Sequence, residues 1–271
     1  MTSQEPPFRA EFVRLQITPI GKSQGFLQAA LAAARQPVKF SGPAHVQRTD
    51  SGDVVIDGVP MVDQGEKGYC VVASAERVMR YYGLKADEHE LAQIANTSAS
   101  GGTSNEAMFE ALKKLSNRLR IRTRTLDSLD VHSVLDLVRD YNAIAKRGKQ
   151  AGEIDLSSRI IDVQEIYRQM KPELLKQARM HNPSSSARFL RQLQPHIAQG
   201  VPVLWSVMLG IVPESNAPQG FGGHMRLIIG FNAKTNEIIY TDSWGMGHES
   251  KRMTLADAWT ITTGLYTIEP L

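Results

Sequence analysis

The sequence predicts an α+β fold, with a mainly helical amino-terminal two-thirds packed on a carboxyl-terminal antiparallel sheet. Before Gly200, apolar residues recur at the three- and four-residue steps of helices that bury one face. After Gly200, β-rich runs are separated by glycine, proline and asparagine turns: PVLWSVML, HMRLIIGFN, NEIIYTD and LYTIEP. A helical part followed by consecutive strands indicates two layers that meet at a seam, where residues of both could form a site.

The composition is that of an ordinary globular protein. The 271 residues are 42% hydrophobic and 22% charged, and no run of about 18 apolar residues could cross a bilayer. A net charge of +3 is too close to balance to indicate nucleic-acid binding. The single cysteine excludes an intramolecular disulfide and a cysteine-based zinc site. We therefore expect no cofactor, no metal, no nucleic acid and no membrane span, and the sequence leaves the oligomeric state open.

Residues 1–53 have a mixed pattern and are predicted to form an amino-terminal extension or a pro-segment-like region. Within them, AEFVRLQITPI could form a strand and SQGFLQAALAAARQP a short helix that ends at Pro37. The opening MTSQEPPFRA has no basic segment followed by an apolar stretch, so no signal peptide is expected. The location stays open between the cytoplasm and export after removal of a leader. Residues 54–271 are predicted to form the main domain.

Further helices are predicted in the middle of the chain. DEHELAQIAN, TSNEAMFEALKKL and HSVLDLVRDYNAIAK have helical periodicity, and Thr103 with Glu106 forms a capping-box pair in the second of them. Residues 162–199 are predicted to form two more helices, with breaks at Pro172 and at the turn-forming NPSSS.

The segment NRLRIRTRT predicts a strand with alternating arginines. In a strand these side chains share one face, where they could attract an anionic partner. The alternative is a solvated edge strand that carries protective charge. The arginines are Arg118, Arg120, Arg122 and Arg124.

Cys70 is predicted to lie in the first turn of a buried helix. The segment CVVASAERVMRYYG repeats apolar residues at helical steps and closes at Gly83. The nucleophilic form of cysteine is the thiolate, and a free thiol with a pKa near 8.5 is mostly protonated at neutral pH. A helix amino terminus and a nearby imidazolium both lower a thiol pKa. The position of Cys70 supplies the helix amino terminus, and a histidine is needed to supply the imidazolium.

His224 is the best-placed histidine for this role. It follows two glycines and opens the strand HMRLIIGF, which would hold its ring on a rigid element. Asp242 ends the next strand, NEIIYTD, and antiparallel pairing brings the two close to facing positions. A carboxylate there fixes the imidazole tautomer and stabilises its protonated form. The other six histidines lie in polar or helix-surface contexts: His45, His89, His132, His181, His196 and His248.

Gln64 is the candidate oxyanion donor, six residues before the cysteine. A side-chain amide beside the backbone N–H of the nucleophile can stabilise a developing oxyanion by roughly 3 to 4 kcal/mol. Glycines between Gln64 and Cys70 allow the loop to fold back. A glutamine at this spacing is weak evidence alone, but it is specific in company with the cysteine, the histidine and the acid.

These motifs resemble those of the papain-like cysteine peptidases. VDQGEKGYCVVASAERVMRYYG is similar to their active-site segment, especially in the branch of the double-glycine leader peptidases, with Gln64 as the oxyanion glutamine and Cys70 as the nucleophile. GGHMRLIIGFN resembles the strand that carries the base, which places it at His224. TDSWG resembles the Asn-Ser-Trp-Gly motif of papain, with Asp242 in place of the asparagine and Trp244 in the shielding position.

The resemblance implies a papain-like fold, and the sequence also departs from it. The aromatic residue that follows the cysteine in papain is Val71 here. Residues from about 140 to 199 have no counterpart and are predicted to be a helical insertion, which could cover the cleft. Leader peptidases are usually fused to a transporter, whereas this chain has no membrane-spanning or nucleotide-binding segment, so the resemblance does not imply bacteriocin processing.

The leading functional hypothesis is a cysteine peptidase that hydrolyses a peptide or isopeptide bond through Cys70, His224 and Asp242, with a peptide or protein as substrate. An acyltransferase or amidase on the same fold, and a non-catalytic peptide-binding module, remain as alternatives.

Residues on the loops beside this set are predicted to contact the substrate: Gly68, Tyr69, Phe221, Gly223 and Trp244. Trp205 lies inside an apolar strand and is predicted to be structural. Arg226, two residues beyond His224, should point to the same sheet face and could meet an acidic group.

Overall fold

One antiparallel sheet and the helices around it give the chain the predicted α+β class. The computed structural model describes residues 40–65, 69–84, 109–110, 112–114, 116, 119–150, 152–155, 162–218 and 220–271. The described residues lie in one compact unit that extends from Val38 to Leu271.

Eight strands form the sheet in the described ranges, and every pairing is antiparallel. They are β1 (Val46–Arg48), β2 (Asp53–Ile56), β3 (Ile121–Ser128), β4 (Val203–Leu209), β5 (Gly222–Asn232), β6 (Glu237–Thr241), β7 (Lys251–Thr254) and β8 (Thr262–Pro270). The order across the sheet is β1-β2-β5-β4-β8-β3, and β6 pairs with β5 and β7. The long strand β5 is central, because β4 and β2 pair with successive parts of it and β6 also joins it.

Within the described residues, six α-helices with defined first and last residues accompany the sheet. They are α1 (Cys70–Tyr81), α2 (Val131–Arg147), α3 (Val163–Gln169), α4 (Pro172–Met180), α5 (Pro183–Ala198) and α6 (Leu255–Ile261), and a 3-10 turn spans Gly42–His45. Helix α1 packs against β5, while α5 packs on α4, α6 and the sheet. Among the described residues, no helix has both the length and the apolar character needed to cross a bilayer.

Helix α1 begins and ends where the sequence predicts. Its apolar residues repeat at helical spacing and are almost completely buried: Val71, Val72, Ala75, Val78 and Met79. Gly83 closes it with a φ of 72°, which lets the Gly83 N–H reach Arg80 O and the Leu84 N–H reach Met79 O. This packing fixes the direction in which the amino end of the helix points.

The predicted pair of helices in residues 162–199 is in fact three. Pro172 and Pro183 each occupy a first position of a new helix, where a proline has no hydrogen bond to lose. The Asn182 side chain also accepts a hydrogen bond from the Ser184 N–H at 3.0 Å and caps α5. Both predicted breaks are therefore helix starts.

The remaining local predictions have mixed outcomes. Of the four arginines predicted to share a strand, Arg122 and Arg124 lie on β3, Arg120 precedes it with a φ of 53°, and Arg118 lies outside the described residues. Strand β3 is at the end of the sheet order, and Arg122 lies 3.1 Å from Glu269 on β8, which fits the edge-strand alternative. The described residues between 109 and 116 are helical, as predicted. The predictions for residues 1–39 and for DEHELAQIAN lie outside the described residues.

Strand β7 and helix α6 were not predicted, although Thr254 caps α6 by accepting from the Asp257 N–H. The division at residue 53 and the insertion at 140–199 stay predictions.

Candidate active site

Cys70 is the first residue of α1, and Tyr69 stands at the N-cap position. The amino end of a helix leaves several N–H groups without a partner in the helix and carries partial positive charge. Cys70 is partly exposed, in contrast to the fully buried residues of the next turn. Its thiol therefore lies where a helix favours the thiolate.

His224 lies near the start of β5 and contacts both Asp242 and Trp244. Its Nε2 is 2.9 Å from Asp242 Oδ1, and both side chains are completely buried. The indole of Trp244 stacks on the imidazole with ring centroids 4.4 Å apart and an interplanar angle of 12°. Nδ1, the other ring nitrogen, is buried and makes no hydrogen bond of normal geometry within the described part of the chain. Asp242 and Trp244 thus fix the ring and leave Nδ1 for another partner.

Strand register explains how Asp242 reaches this histidine. Leu227 pairs with Thr241 at the end of the β5–β6 ladder, so the next residue, Asp242, comes level with Arg226. His224 and Arg226 are two residues apart on β5 and point to the same face. One carboxylate can therefore bond both side chains. His224 and Asp242 are close, as the sequence predicts, but the residue level with Asp242 on β5 is Arg226 and not His224.

The electrostatic environment favours a thiolate–imidazolium pair. Burial raises the pKa of Cys70, but the interaction with His224 and the backbone N–H groups near the thiol lower it further, so the net pKa is below its ordinary value. Burial lowers the pKa of His224, but Asp242 and Cys70 outweigh it, so the net pKa is above its ordinary value. The two shifts have opposite directions, and each moves its group toward the charged form.

Asp242 remains ionised although it is buried. Burial raises its pKa, but the hydrogen bond from His224 and the positive charges of Arg226 and Lys251 bring it below the ordinary value. Lys251 Nζ lies 3.8 Å from Asp242 Oδ2 and 5.6 Å from the centroid of the Trp244 ring. The acid is thus surrounded by cationic groups.

Gln64 is held at the same site by the residue after Asp242. The Gln64 N–H donates to Ser243 O at 2.8 Å, and Ser243 Oγ donates to Gln64 Oε1 at 3.0 Å. With its oxygen bound in this way, the side chain turns its NH₂ group, which carries only donors, to the other side. Gly245 has a φ of 78°, and a Cβ on it would lie 2.7 Å from Asp63 Oδ2, so glycine allows this close approach of the two loops.

The predicted substrate contacts are placed around this set. Trp244 covers the imidazole, as described above. Gly223 precedes His224 in β5, and Phe221 precedes the strand, with the Arg168 guanidinium of α3 5.1 Å from its ring centroid. Tyr69 is adjacent to the cysteine. Gly68 lies outside the described residues. Trp205, predicted to be structural, is fully buried in β4 and donates to Thr262 Oγ1 at 2.8 Å.

Sequence reasoning missed several polar residues behind the site. Glu214 precedes β5 in a loop, Tyr240 lies on β6, and Lys251 opens β7. No motif marks them, because their roles depend on loops that return to the sheet from distant positions. Arg77 had a weak signal, as a charged residue on the apolar face of α1, and it donates to Asp242 O at 2.8 Å and to Thr241 Oγ1 at 2.6 Å.

Within the described ranges, no group of three or more histidine, cysteine, aspartate or glutamate side chains could hold a metal ion. The chemistry available to the arrangement is that of a thiolate, an imidazole and a carboxylate in series.

A comparison with protein families identifies the segment that contains the histidine and the acid. It matches the model of the Peptidase_C39 like family over residues 152–267. The match confirms the predicted recognition, a papain-like cysteine peptidase of the C39 branch, and with it the enzyme class. It spans less than half of the chain, includes His224 and Asp242, and begins after Gln64 and Cys70.

Two solved structures show a low similarity to this chain. The peptidase domain of Streptococcus ComA, a bi-functional ABC transporter involved in a quorum-sensing pathway, is 15% identical with a TM-score of 0.39, covering 79% of this chain and 100% of that domain. Xylellain, a cysteine protease from Xylella fastidiosa, is 13% identical with a TM-score of 0.41, covering 88% of this chain and 91% of the protease. Similarities of this size do not decide the function. No curated protein matches the chain significantly.

Proposed function

We propose that this cysteine peptidase hydrolyses a peptide or isopeptide bond through a triad of Cys70, His224 and Asp242 and a thioester acyl-enzyme. The observation that carries the proposal is the buried 2.9 Å contact between His224 Nε2 and Asp242 Oδ1, with the imidazole stacked on Trp244. This contact directs the other ring nitrogen to a separate partner, and the opposite pKa shifts of Cys70 and His224 support the thiol as that partner.

In the acylation step the Cys70 thiolate attacks the carbonyl carbon and forms a C–S bond. The carbonyl electrons move to the oxygen, and the tetrahedral intermediate then breaks its C–N bond. The leaving amine takes the proton that His224 carried as imidazolium, so the products of this step are a thioester, a free amine and a neutral imidazole.

In the deacylation step the neutral His224 takes a proton from water while the water oxygen attacks the thioester carbon. The second tetrahedral intermediate expels the Cys70 thiolate, which restores the thiolate–imidazolium pair and releases a carboxylic acid. Asp242 stays ionised throughout and stabilises the imidazolium at both ends of the cycle.

Gln64 and the Cys70 N–H are the proposed oxyanion donors. Ser243 holds the amide oxygen of Gln64, so the NH₂ group is fixed in orientation before a reactant arrives. Donors that need no reorganisation stabilise a developing oxyanion more than flexible ones do. We place substrate contacts at Tyr69, Phe221, Gly223 and Trp244, on the segments that flank the thiol and the imidazole.

Cleavage of a peptide library by the wild type beside Cys70→Ala tests the proposal. Wild-type protein should cut a subset of peptides, and Cys70→Ala, which lacks the only thiol, should show no cleavage above background. Cleavage that survives the substitution would remove the mechanism.

The same assay separates hydrolysis from acyl transfer. With an added amine nucleophile, a hydrolase still yields the free acid as its main product in water. Amide product with the added amine and no hydrolysis without it would instead identify an acyltransferase. If neither product forms and Cys70 reacts with a thiol probe no faster than a free thiol does, the peptide-binding module is favoured.

A further inference from the structure

Arg226 is a buried arginine that shares the catalytic carboxylate with the histidine. Its side chain is completely buried, and its Nε donates to Asp242 Oδ1 at 2.9 Å. The same oxygen lies 2.9 Å from His224 Nε2. Two donors on one oxygen restrict the rotation of the carboxylate, so the orientation that Asp242 presents to the histidine depends on Arg226.

The far end of the guanidinium is clamped by Glu214. Arg226 Nη1 donates to Glu214 Oε1 at 3.1 Å, and Nη2 lies 2.8 Å from Oε2. The Tyr240 hydroxyl donates to the same Glu214 Oε2 at 2.8 Å, and the Tyr240 ring lies 4.8 Å from the guanidinium carbon. The hydrogen bond through Nη1 and the ion pair through Nη2 both oppose rotation of the guanidinium away from Asp242.

We propose that Arg226 is a positioning residue, one that orients Asp242 toward His224 and, opposed by the charge of Glu214, sets the pH range in which the Cys70 thiolate forms. The inference rests on the proposed triad. The sequence predicts only that Arg226 lies on the same sheet face as His224 and could meet an acidic group. In the structure that group is the carboxylate of Asp242, the proposed acid of the triad.

The charges that face this group come from every element packed around it. Helix α1 contributes Arg77, whose contacts with Asp242 are to its backbone oxygen. Strand β7 contributes Lys251, 3.8 Å from Asp242 Oδ2, and the loop before it contributes His248 and Glu249, which interact with the site at longer range. The close contacts to the carboxylate oxygens are those of His224, Arg226 and Lys251.

A single electrostatic rule gives the expected signs. A positive charge favours the deprotonated form of every nearby acid, and a negative charge favours the protonated form. Removal of the charge of Arg226 should therefore move thiolate formation to higher pH. Removal of the charge of Glu214 leaves Arg226 less neutralised and should move it to lower pH. If Arg226 and Glu214 had purely structural roles, their substitutions would not shift the pH of thiolate formation in opposite directions.

The rate of Cys70 alkylation by iodoacetamide between pH 4 and pH 10 measures these shifts without need of a substrate. Because Cys70 is the only cysteine, all labelling reports this thiol. In Arg226→Gln the midpoint should rise by about one pH unit, and in Glu214→Gln it should fall by about one unit or less. The double variant should return toward the wild type. Midpoints that stay unchanged in both single variants, or that move in the same direction, overturn the proposal.

Matched lysine variants separate orientation from charge. Arg226→Lys keeps the charge but loses the Nε donor, so kcat should fall by about tenfold while the midpoint stays. Arg77→Lys is the same change at the other buried arginine, and it should lower thermal stability and leave the midpoint unchanged. If Arg226→Gln does not fold, as judged by circular dichroism, the lower midpoint expected in Glu214→Gln and the unchanged midpoint expected in Arg226→Lys decide the outcome. If the wild type cleaves no peptide, the proposed function is wrong. The alkylation midpoints still test the effect of Arg226 and Glu214 on the Cys70 thiol, because they need no substrate.

Discussion

The buried charges of the site meet at the carboxylate of Asp242. It bonds His224 and Arg226 through one oxygen, and Lys251 approaches the other. A buried carboxylate keeps its charge only when such partners outweigh desolvation. The consequences of removing that charge can be stated at the level of single side chains.

Asp242→Asn should reduce kcat by roughly 10² to 10⁴-fold with little loss of fold. The amide keeps the shape of the carboxylate but removes the charge that raises the pKa of His224. That pKa should therefore fall, and the alkaline limb of the kcat–pH profile should move to lower pH. Asp130→Asn is the control, because asparagine can replace the aspartate that caps α2. An unchanged alkaline limb in Asp242→Asn would contradict the assigned role.

Ser243→Ala should reduce kcat by about tenfold and leave KM nearly unchanged. The substitution removes the hydrogen bond that fixes Gln64 Oε1, so the amide would rotate and lose its orientation as a donor. Ser206→Ala, at a buried serine that bonds Thr263 instead, provides the comparison. Steady-state kinetics of both variants on one cleaved peptide measure the difference, and equal effects would argue against an oxyanion role for Gln64.

At the level of elements, helix starts determine where the chain turns between residues 162 and 199. Asn182 caps α5 and precedes Pro183, so the chain both ends α4 and begins a new helix at this point. Helix α5 then reaches the sheet, where it packs on β4 and β5. The cap therefore contributes to the position of a helix that supports the strand of His224.

Asn182→Ala should lower the free energy of unfolding by about 1 kcal/mol, because the alanine leaves N–H groups of α5 without their cap. Asn182→Asp retains an acceptor at the same position and should stay close to the wild type. Urea unfolding followed by circular dichroism measures both. A loss of stability in Asn182→Asp as large as in the alanine variant would show that the cap is not the cause.

At the scale of the whole molecule, the buried charges make folding stability depend on pH. The pKa of Asp242 is lowered in the folded state, so its contribution is complete above its unfolded value near 3.9 and is lost as the pH falls through the folded value. The pKa of His224 is raised, so its contribution is complete below its unfolded value near 6.5 and is lost as the pH rises through the folded value. Both contributions are present together between about pH 4 and pH 6.5.

The stability difference between the wild type and Asp242→Asn should therefore be largest between about pH 4 and pH 6.5 and should decline on both sides of it. Urea unfolding at a series of pH values measures the difference. A difference that is constant from pH 3 to pH 9 would show that the two groups do not stabilise each other in the folded state.

Much of the site was predictable because its residues sit beside strong local signals. Cys70 follows a glycine-punctuated loop and opens an apolar helical repeat, and His224 and Asp242 mark one end of the hairpin formed by two β-rich runs. Local patterns of this kind fix the element on which a residue lies. They do not fix what lies beside it in the fold, and for that reason Glu214 and Lys251 were missed and Arg226 had no assigned partner.

The sequence by itself determined the α+β class, the helix start at Cys70 and the hairpin that joins the histidine strand to the acid, because periodicity and turn residues act over short distances. Only the tertiary structure decided the exact register that places Asp242 level with Arg226, the clamp by Glu214, and the support of Gln64 by Ser243. These contacts join residues that are up to 179 positions apart in the chain, so they follow from how the sheet and loops pack and not from any local pattern.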